Sequence, residues 1–165
     1  MLPASLFVPT PLPHPGLIFR LLQPADIGPL HAACYADRPF LAFLDSCRRA
    51  LTGLSQGRCY PVVAVQDGEL VGQAQLVIYP SAAEIANLAV ASIWQGQGIG
   101  TALIAVLTQI ARYTGQSVLE IGAHESNQRA LKLYQRLGFT ISREIKLSPQ
   151  GDKGIILERL LWEQL

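Results

Sequence analysis

The segment from Ile93 to Leu103, IWQGQGIGTAL, contains Gly96, Gly98 and Gly100 and leads directly into an apolar pattern with helical spacing. A predicted strand ends before it at Val90, and a helix is predicted to begin near Gly100. Unpaired backbone N–H groups and the positive end of a helix dipole would then surround one point, which is a typical site for a phosphate group. A flexible turn that only joins a strand to a helix is the alternative interpretation.

Asn127 and Tyr134 form a second candidate pair, on a predicted helix with Ser126 as its N-cap. On a helix the two side chains would project in directions that differ by about 20°, and they would lie about 10.5 Å apart along the axis. The small Ala130 between them would keep this face open. A phenol is a weak acid of pKa about 10 and can act as a proton donor. The structural alternative makes Tyr134 a core aromatic and Asn127 a polar residue at a helix start.

Two other glycine-loop folds do not fit the spacing. The dinucleotide fingerprint GxGxxG, counted from Gly96, requires glycine at position 101, where this chain has Thr101. That fold also places its loop after the first strand of an alternating parallel sheet, whereas several predicted strands come earlier here. A P-loop is excluded because no GK[ST] is present.

The composition limits the classes of function. With 50% hydrophobic and 15% charged residues in 165, the chain has a large interior or a covered surface, as in a twofold homodimer. A net charge of +1 without a basic run argues against nucleic acid and membrane partners. Three cysteines without CxxC spacing argue against disulfides and metal, and predict a reducing, cytoplasmic location. Cys34 is interpreted as a small buried hydrophobe because no base accompanies it.

The chain divides into two parts. Residues 1–16 are rich in proline and are predicted to form an extended arm, while residues 17–165 form the domain. The arm lacks the basic flank and the unbroken apolar core of a signal peptide. Period-two and helical patterns in the domain predict about seven strands and about four helices, with a hairpin at Asp67-Gly68 and a helix from Thr101 to about Tyr113. His14 and His31 are assigned no role.

Two stretches, LAVASIWQGQGIGTALI and NQRALKLYQRLGF, resemble the GNAT superfamily of acetyl-CoA-dependent N-acetyltransferases. The family's loop pattern is matched by Gln95, Gly98 and Gly100, and its second pattern by Asn127, Ala130, Tyr134, Gly138 and Phe139. The resemblance implies an α/β (α+β) GNAT-like fold with a mixed, mostly antiparallel sheet. Many members have proline where this chain has Ser92, which removes no ligand-binding group.

The resemblance also implies a set of coenzyme-binding residues. In such proteins the loop amides hold the coenzyme A pyrophosphate, and the pantetheine arm pairs with a strand, one of whose amides stabilises the oxyanion. The residues implied are Leu88, Ala89, Val90, Gln95, Gly96, Gln97, Gly98, Ile99, Gly100, Thr101, Asn127, Ala130 and Tyr134.

The acceptor must lose a proton before it can attack, because an amine of pKa near 10 is about a thousandfold too protonated at pH 7. Glu84, which opens the strand AEIANLAV, is the first candidate for the base, since a glutamate at the matching place serves so in the histone acetyltransferase branch. His124 is the second candidate, and a solvated carboxylate is the structural alternative for Glu84. Asp37 and Asp45 could attract a cationic amine, although such residues usually face water.

The predicted function is transfer of acetyl from acetyl-CoA to a primary amine of a small molecule or peptide by direct attack, without a metal. The predicted catalytic residues are Glu84 and Tyr134. A non-catalytic acyl-CoA-binding sensor or regulatory module is the alternative from another functional class.

Overall fold

The computed structural model describes residues 1–162, so residues 163–165 of the predicted domain lie outside the described part. The helices are α1 (Ile27–Cys34), α2 (Phe40–Ser55), α3 (Ile99–Tyr113) and α4 (Gln128–Arg136). The strands are β1 (Leu17–Leu21), β2 (Cys59–Gln66), β3 (Glu69–Ile78), β4 (Ala83–Val90), β5 (Val118–His124), β6 (Thr140–Lys146) and β7 (Lys153–Leu160).

The strands form one sheet in the order β1-β2-β3-β4-β5-β7-β6. Among these strands the pairing of β4 with β5 is parallel and every other pairing is antiparallel. The turn between β2 and β3 places Asp67 at φ 51° and Gly68 at φ 82°, the conformation that two-residue hairpins favour. The predicted mixed, mostly antiparallel sheet is therefore confirmed.

Helices cover both faces of the sheet, and alternate side chains of β2 pack on opposite faces. Val63 and Val65 pack in one cluster with residues of α1 and α2, including Leu30 and Phe43. On the opposite face, Val62 belongs to a larger cluster with residues of α3 and α4, such as Leu103, Leu107 and Tyr134. Helices α3 and α4 thus share the face on which the glycine loop opens.

Two helix starts differ from the predictions. Helix α3 begins at Ile99 rather than Thr101, because Gly98 takes a left-handed conformation (φ 89°) as its N-cap and Ile99 is already buried. Helix α4 is capped by Asn127 and not by Ser126: the Asn127 Oδ1 accepts a hydrogen bond from the Ala130 backbone N–H at 3.2 Å.

Residues 1–16 do not form an extended arm. Ala4–Phe7 is a 3₁₀ turn, and Leu2, Leu6 and Phe7 pack against the core. The Gln109 amide on α3 donates to the Val8 carbonyl at 3.3 Å. Burial of these apolar side chains outweighs the preference of proline-rich sequence for an extended chain. The division at residue 16 stays a prediction.

No helix within residues 1–162 combines the length and the apolar character needed to cross a membrane.

Candidate functional site

Strands β4 and β5 diverge, and the site lies where they separate. They pair from Ala83 to Ile85 on β4 and from Leu119 to Ile121 on β5. Strand β4 then continues to Val90 without further pairing to β5. The edge of β4 that faces β5 can therefore hydrogen-bond to an extended ligand.

A bulge in β4 marks the same place. Asn87 has φ 55°, and the register with β3 shifts between Gln73 and Gln75. The Tyr35 hydroxyl lies 2.8 Å from the Asn87 carbonyl and 2.9 Å from the Gln73 Oε1, so it can donate to either acceptor. Burial raises the pKa of Tyr35, so it remains a neutral donor that stabilises the bulge. No sequence motif indicated a role for Tyr35.

A first cavity of about 430 Å³, the loop cavity, lies between the glycine loop, β4 and α4. Its lining includes nine of the predicted residues, namely Leu88, Ala89, Val90, Gln95, Gly96, Gly98, Ile99, Gly100 and Thr101, together with Trp94, Arg129, Leu133 and Arg136. The first intrahelical bond of α3 runs from the Ala102 N–H to the Gly98 carbonyl, so the preceding N–H groups have no partner in the helix. These donors make the loop cavity suitable for an anion.

The loop glycines serve two different purposes. Gly96 and Gly98 have φ of 74° and 89°, which side-chain-bearing residues rarely adopt, so glycine is required there by the backbone. Gly100 is helical, and a Cβ built on it would lie 3.9 Å from Val90 Cγ2, an ordinary contact. At Gly100 the missing side chain leaves space in the loop cavity.

Two arginines that sequence reasoning missed line the loop cavity. Arg129, Leu133 and Arg136 lie at i, i+4 and i+7 on α4 and so form one stripe on the helix. The Arg129 Nη2 is 3.6 Å from the position that a Cβ on Gly96 would take. Guanidinium groups are strong binders of phosphate oxygens. The helical spacing of the two arginines was the signal that could have identified them.

A second cavity of about 520 Å³, the strand cavity, opens between the divergent strands. It is lined by Glu84, Ile85, Ala86, Asn87, Leu88, Ile121, Gly122, Ala123, His124, Asn127, Tyr134, Ile145, Leu147, Gly154 and Ile156. Leu88 also lines the loop cavity, so the two cavities meet at this residue. The strand cavity therefore brings both predicted catalytic residues and the second base candidate together.

Glu84 is half-buried, and burial is the main cause that raises the pKa of its carboxyl group. Repulsion from Glu120, its partner in the parallel pairing, raises this pKa further, while Arg143 opposes the shift. Arg143 donates to both Glu120 carboxylate oxygens, at 2.9 and 3.3 Å. A carboxylate whose pKa is shifted toward neutrality is suited to general-base catalysis.

His124 has a protein partner at each ring nitrogen. Its Nδ1 accepts the backbone N–H of Ser126 at 3.1 Å, which fixes the lone pair on that atom. Its Nε2 faces the Asp152 Oδ1 at 3.4 Å and therefore carries the hydrogen. Both ring nitrogens are thus engaged, which favours Glu84 over His124 as the base.

Tyr134 is buried and packs edge-on against Phe139, with 6.4 Å between ring centroids. Burial raises the pKa of its phenol, which keeps the group protonated and able to donate. Asn127 lines the same cavity although its side-chain oxygen caps α4.

Two predicted coenzyme-binding residues, Gln97 and Ala130, line neither cavity. The Gln97 amide donates to the Ile93 carbonyl at 3.2 Å, and Ala130 is half-buried against the core. Cys34, Cys47 and Cys59 also lie outside both linings, and burial raises the pKa of the Cys34 thiol to about 11, which disfavours a thiolate nucleophile.

Comparison with known proteins agrees with this geometry. The sequence profile of the Acetyltransferase (GNAT) family matches residues 18–139. YvbK, an uncharacterized N-acetyltransferase of Bacillus subtilis (strain 168), is 36% identical over 89 residues, which are 53% of this chain and 56% of that protein. An uncharacterized N-acetyltransferase of Mycobacterium tuberculosis (strain ATCC 25618 / H37Rv) is 29% identical over 146 residues, or 87% of this chain and 90% of that protein.

A solved structure shares the fold. A ribosomal L7/L12 α-N-protein acetyltransferase in complex with coenzyme A has a TM-score of 0.76 and 18% identity, covering 93% of this chain and 97% of that chain. The named relatives are transferases, so the comparisons favour the enzyme over the acyl-CoA-binding sensor. The chain therefore belongs to the acetyltransferase (GNAT) family and is an N-acetyltransferase.

Proposed function

We propose that the protein transfers acetyl from acetyl-CoA to a primary amine by direct attack, with the coenzyme in the loop cavity and the amine in the strand cavity. The observation that carries the proposal is the meeting of the two cavities at Leu88. An acetyl thioester located there would be accessible both from the anion-binding loop and from the cavity that Glu84 and Tyr134 line.

The coenzyme phosphates would bind the free N–H groups of the first turn of α3 together with Arg129 and Arg136. The pantetheine arm would pair with the open edge of β4 at Leu88–Val90, where pairing with β5 has ended. A backbone N–H of this edge would stabilise the negative charge that forms on the thioester oxygen during attack.

Glu84 would act as the general base. Its carboxylate would remove a proton from the ammonium form of the acceptor, directly or through a water molecule, and the neutral amine would then attack the acetyl carbon. Tyr134 would donate its phenolic proton to the departing thiolate and regain a proton from the nitrogen of the tetrahedral intermediate, which must lose one to become the amide nitrogen. Asn127 would contribute to the wall of the strand cavity beside the reacting groups.

Release of free thiol from acetyl-CoA in the presence of an amine panel tests this proposal. The panel contains alkylamines, polyamines, amino acids and peptides with a free N-terminus. We expect amine-dependent thiol release that Glu84→Gln and Tyr134→Phe reduce while acetyl-CoA binding is retained. Binding of acetyl-CoA without thiol release for any amine would contradict the proposal.

We further propose a cytoplasmic location, supported by three cysteines that are free within the described residues. A twofold homodimer remains our explanation for the low charge content, and exposed apolar side chains such as Ile141, Leu160 and Trp162 are available for such an interface. Sedimentation velocity at micromolar concentrations would show a dimer, and a monomer throughout would contradict it.

A further inference from the structure

One wall of the strand cavity is apolar. It is formed by Ile145, Leu147 and Ile156, which we call the apolar wall. Ile145 and Leu147 are 38% and 53% exposed, so their side chains reach the solvent at the mouth of the cavity. Both side chains lie over Gly154, so together they present one apolar surface to a ligand in the cavity.

Two glycines allow the apolar wall to lie flat on the sheet. A Cβ on Gly154 would approach Ile145 Cγ1 to 3.1 Å and Leu147 Cδ2 to 3.3 Å. A Cβ on Gly122 would approach Ile156 Cδ1 to 3.1 Å, and Gly122 is the register partner of Ile156. Any larger residue at either glycine would push the wall into the cavity and narrow the space for an acceptor.

The charges on the strand cavity are unevenly distributed. Among the described residues that line it, Glu84 is the one carboxylate. Glu120 is paired with Arg143, and Asp152 is not among the lining residues, so the lining itself holds no second carboxylate. A cationic amine is therefore attracted at Glu84, whereas a second cation would have to lose water against the apolar wall, which is costly.

From this arrangement, and on the basis of the proposed function, we propose that the acceptor is a primary amine on an apolar chain that carries no second positive charge. The amine would lie at Glu84 and the chain against Ile145, Leu147 and Ile156. Diamines and polyamines would be poor acceptors because their second ammonium group meets apolar side chains instead of a carboxylate.

Hexylamine and 1,6-diaminohexane provide a matched pair of acceptors that differ by one ammonium group. We expect the wild-type kcat/KM to be at least about tenfold higher for hexylamine, which corresponds to about 1.4 kcal/mol, because the second ammonium group loses part of its hydration against the apolar wall with no carboxylate to offset the loss. Equal or better use of the diamine would overturn the inference. Absence of transfer to every amine would overturn the proposed function as well, and the two failures are therefore distinguishable.

A charge introduced into the wall provides the second arm of the test. Leu147→Glu should raise kcat/KM for the diamine relative to hexylamine by about tenfold or more, because it supplies the missing carboxylate. Leu41→Glu is the matched control, since Leu41 is 76% exposed on α2 and lies outside the cavity lining. An unchanged preference in Leu147→Glu would contradict the assignment of the wall.

The N-terminal segment contacts the glycine loop through Pro13 and His14. The His14 Nε2 lies 3.1 Å from the Gln97 carbonyl and must donate to it. The His14 ring also packs edge-on against Trp94, with 5.8 Å between centroids. A Cβ on Gly98 would come within 3.2 Å of Pro13 Cβ, so the segment and the loop are in close contact.

We infer that His14 is a positioning residue that holds the glycine loop in its anion-binding conformation. Trp94 and Gly98 line the loop cavity, so their contacts with Pro13 and His14 link the segment to the coenzyme site. A loop that is ordered before binding has less conformational entropy to lose when acetyl-CoA binds.

His14→Ala should weaken acetyl-CoA binding about threefold to tenfold, measured as Kd and KM, while kcat is unchanged. His14→Gln should restore part of the affinity because its amide can also donate to the Gln97 carbonyl. His31→Ala is the control, since His31 bonds the Arg38 carbonyl in another part of the fold. A wild-type Kd in His14→Ala, even with a lower Tm, would show a structural role only and overturn the inference.

Discussion

The substitution Glu84→Gln tests the assigned base by removing the carboxylate while keeping the size of the side chain. At pH 7 only about one part in a thousand of an amine of pKa near 10 is neutral. Without the base, the reaction depends on this fraction, and general-base catalysis typically contributes about 10² to 10⁴ in rate. We therefore expect kcat/KM at pH 7 to fall by about that factor.

The pH profile separates loss of the base from a general loss of structure. The rate of Glu84→Gln should rise about tenfold per pH unit until the amine is neutral, so the deficit should be small near pH 10. The wild-type rate should instead rise through the raised pKa of Glu84 and then level off. Initial rates of thiol release between pH 5 and pH 10, at subsaturating amine, measure both profiles.

The neighbours of Glu84 provide a check on the sign of the shift. Glu120 raises the pKa of Glu84 and Arg143 lowers it. Compared with the wild type, the acidic limb of the pH–rate profile should lie at lower pH in Glu120→Gln and at higher pH in Arg143→Gln. Full activity of Glu84→Gln at pH 7, or shifts of opposite sign in these variants, would refute the reasoning.

Three further predictions concern other parts of the site. Tyr134→Phe should lower kcat without recovery at high pH, because the phenol of Tyr134 donates a proton to the leaving thiolate. Recovery at high pH like that of Glu84→Gln, in the same thiol-release profiles, would disprove this role. Arg129→Ala and Arg136→Ala should each weaken acetyl-CoA binding about tenfold and reduce the dependence of Kd on salt concentration. Titration calorimetry at two ionic strengths measures both effects, and an unchanged Kd would show that the arginines do not bind the coenzyme. Tyr35→Phe should lower stability by about 1–3 kcal/mol in urea unfolding, since the buried Gln73 side-chain oxygen and the Asn87 carbonyl lose their donor, and a change below 0.5 kcal/mol would argue against this role.

The sequence was informative where a requirement is local. Glycine at left-handed positions, as in Gly96 and Gly98, and the apolar spacing of α3 are visible in a single stretch of chain. The two motifs therefore predicted both the family and the contributions of β4, the loop and α4 to the cavities. The predicted N-cap of α4 was wrong because Ser126 and Asn127 are both good N-cap residues, and only the backbone geometry decides between them.

The parts that could not be predicted depend on long-range contacts. Tyr35 contacts the bulge in β4 from a position far away in the sequence, and no pattern near Tyr35 predicts its hydrogen bond to the Asn87 carbonyl. The hydrogen bond from His14 to the Gln97 carbonyl joins residues that are still farther apart in the sequence, and a proline-rich stretch by itself favours an extended chain. The apolar wall likewise depends on the register of β5, β6 and β7, which brings Gly122 and Gly154 beneath side chains of other strands.

The central claim, that acetyl-CoA binds with its phosphates at the glycine loop, is tested most directly at Gly100. Its backbone is helical and a Cβ there has room, so Gly100→Ala and Gly100→Glu should both fold, and an acidic residue in the first turn is favourable to α3. Titration calorimetry with acetyl-CoA should show binding to the wild type, somewhat weaker binding to Gly100→Ala, and no detectable binding to Gly100→Glu at concentrations that saturate the wild type, because its carboxylate would occupy the phosphate position. Wild-type affinity in folded Gly100→Glu would contradict the placement of the coenzyme in the loop cavity.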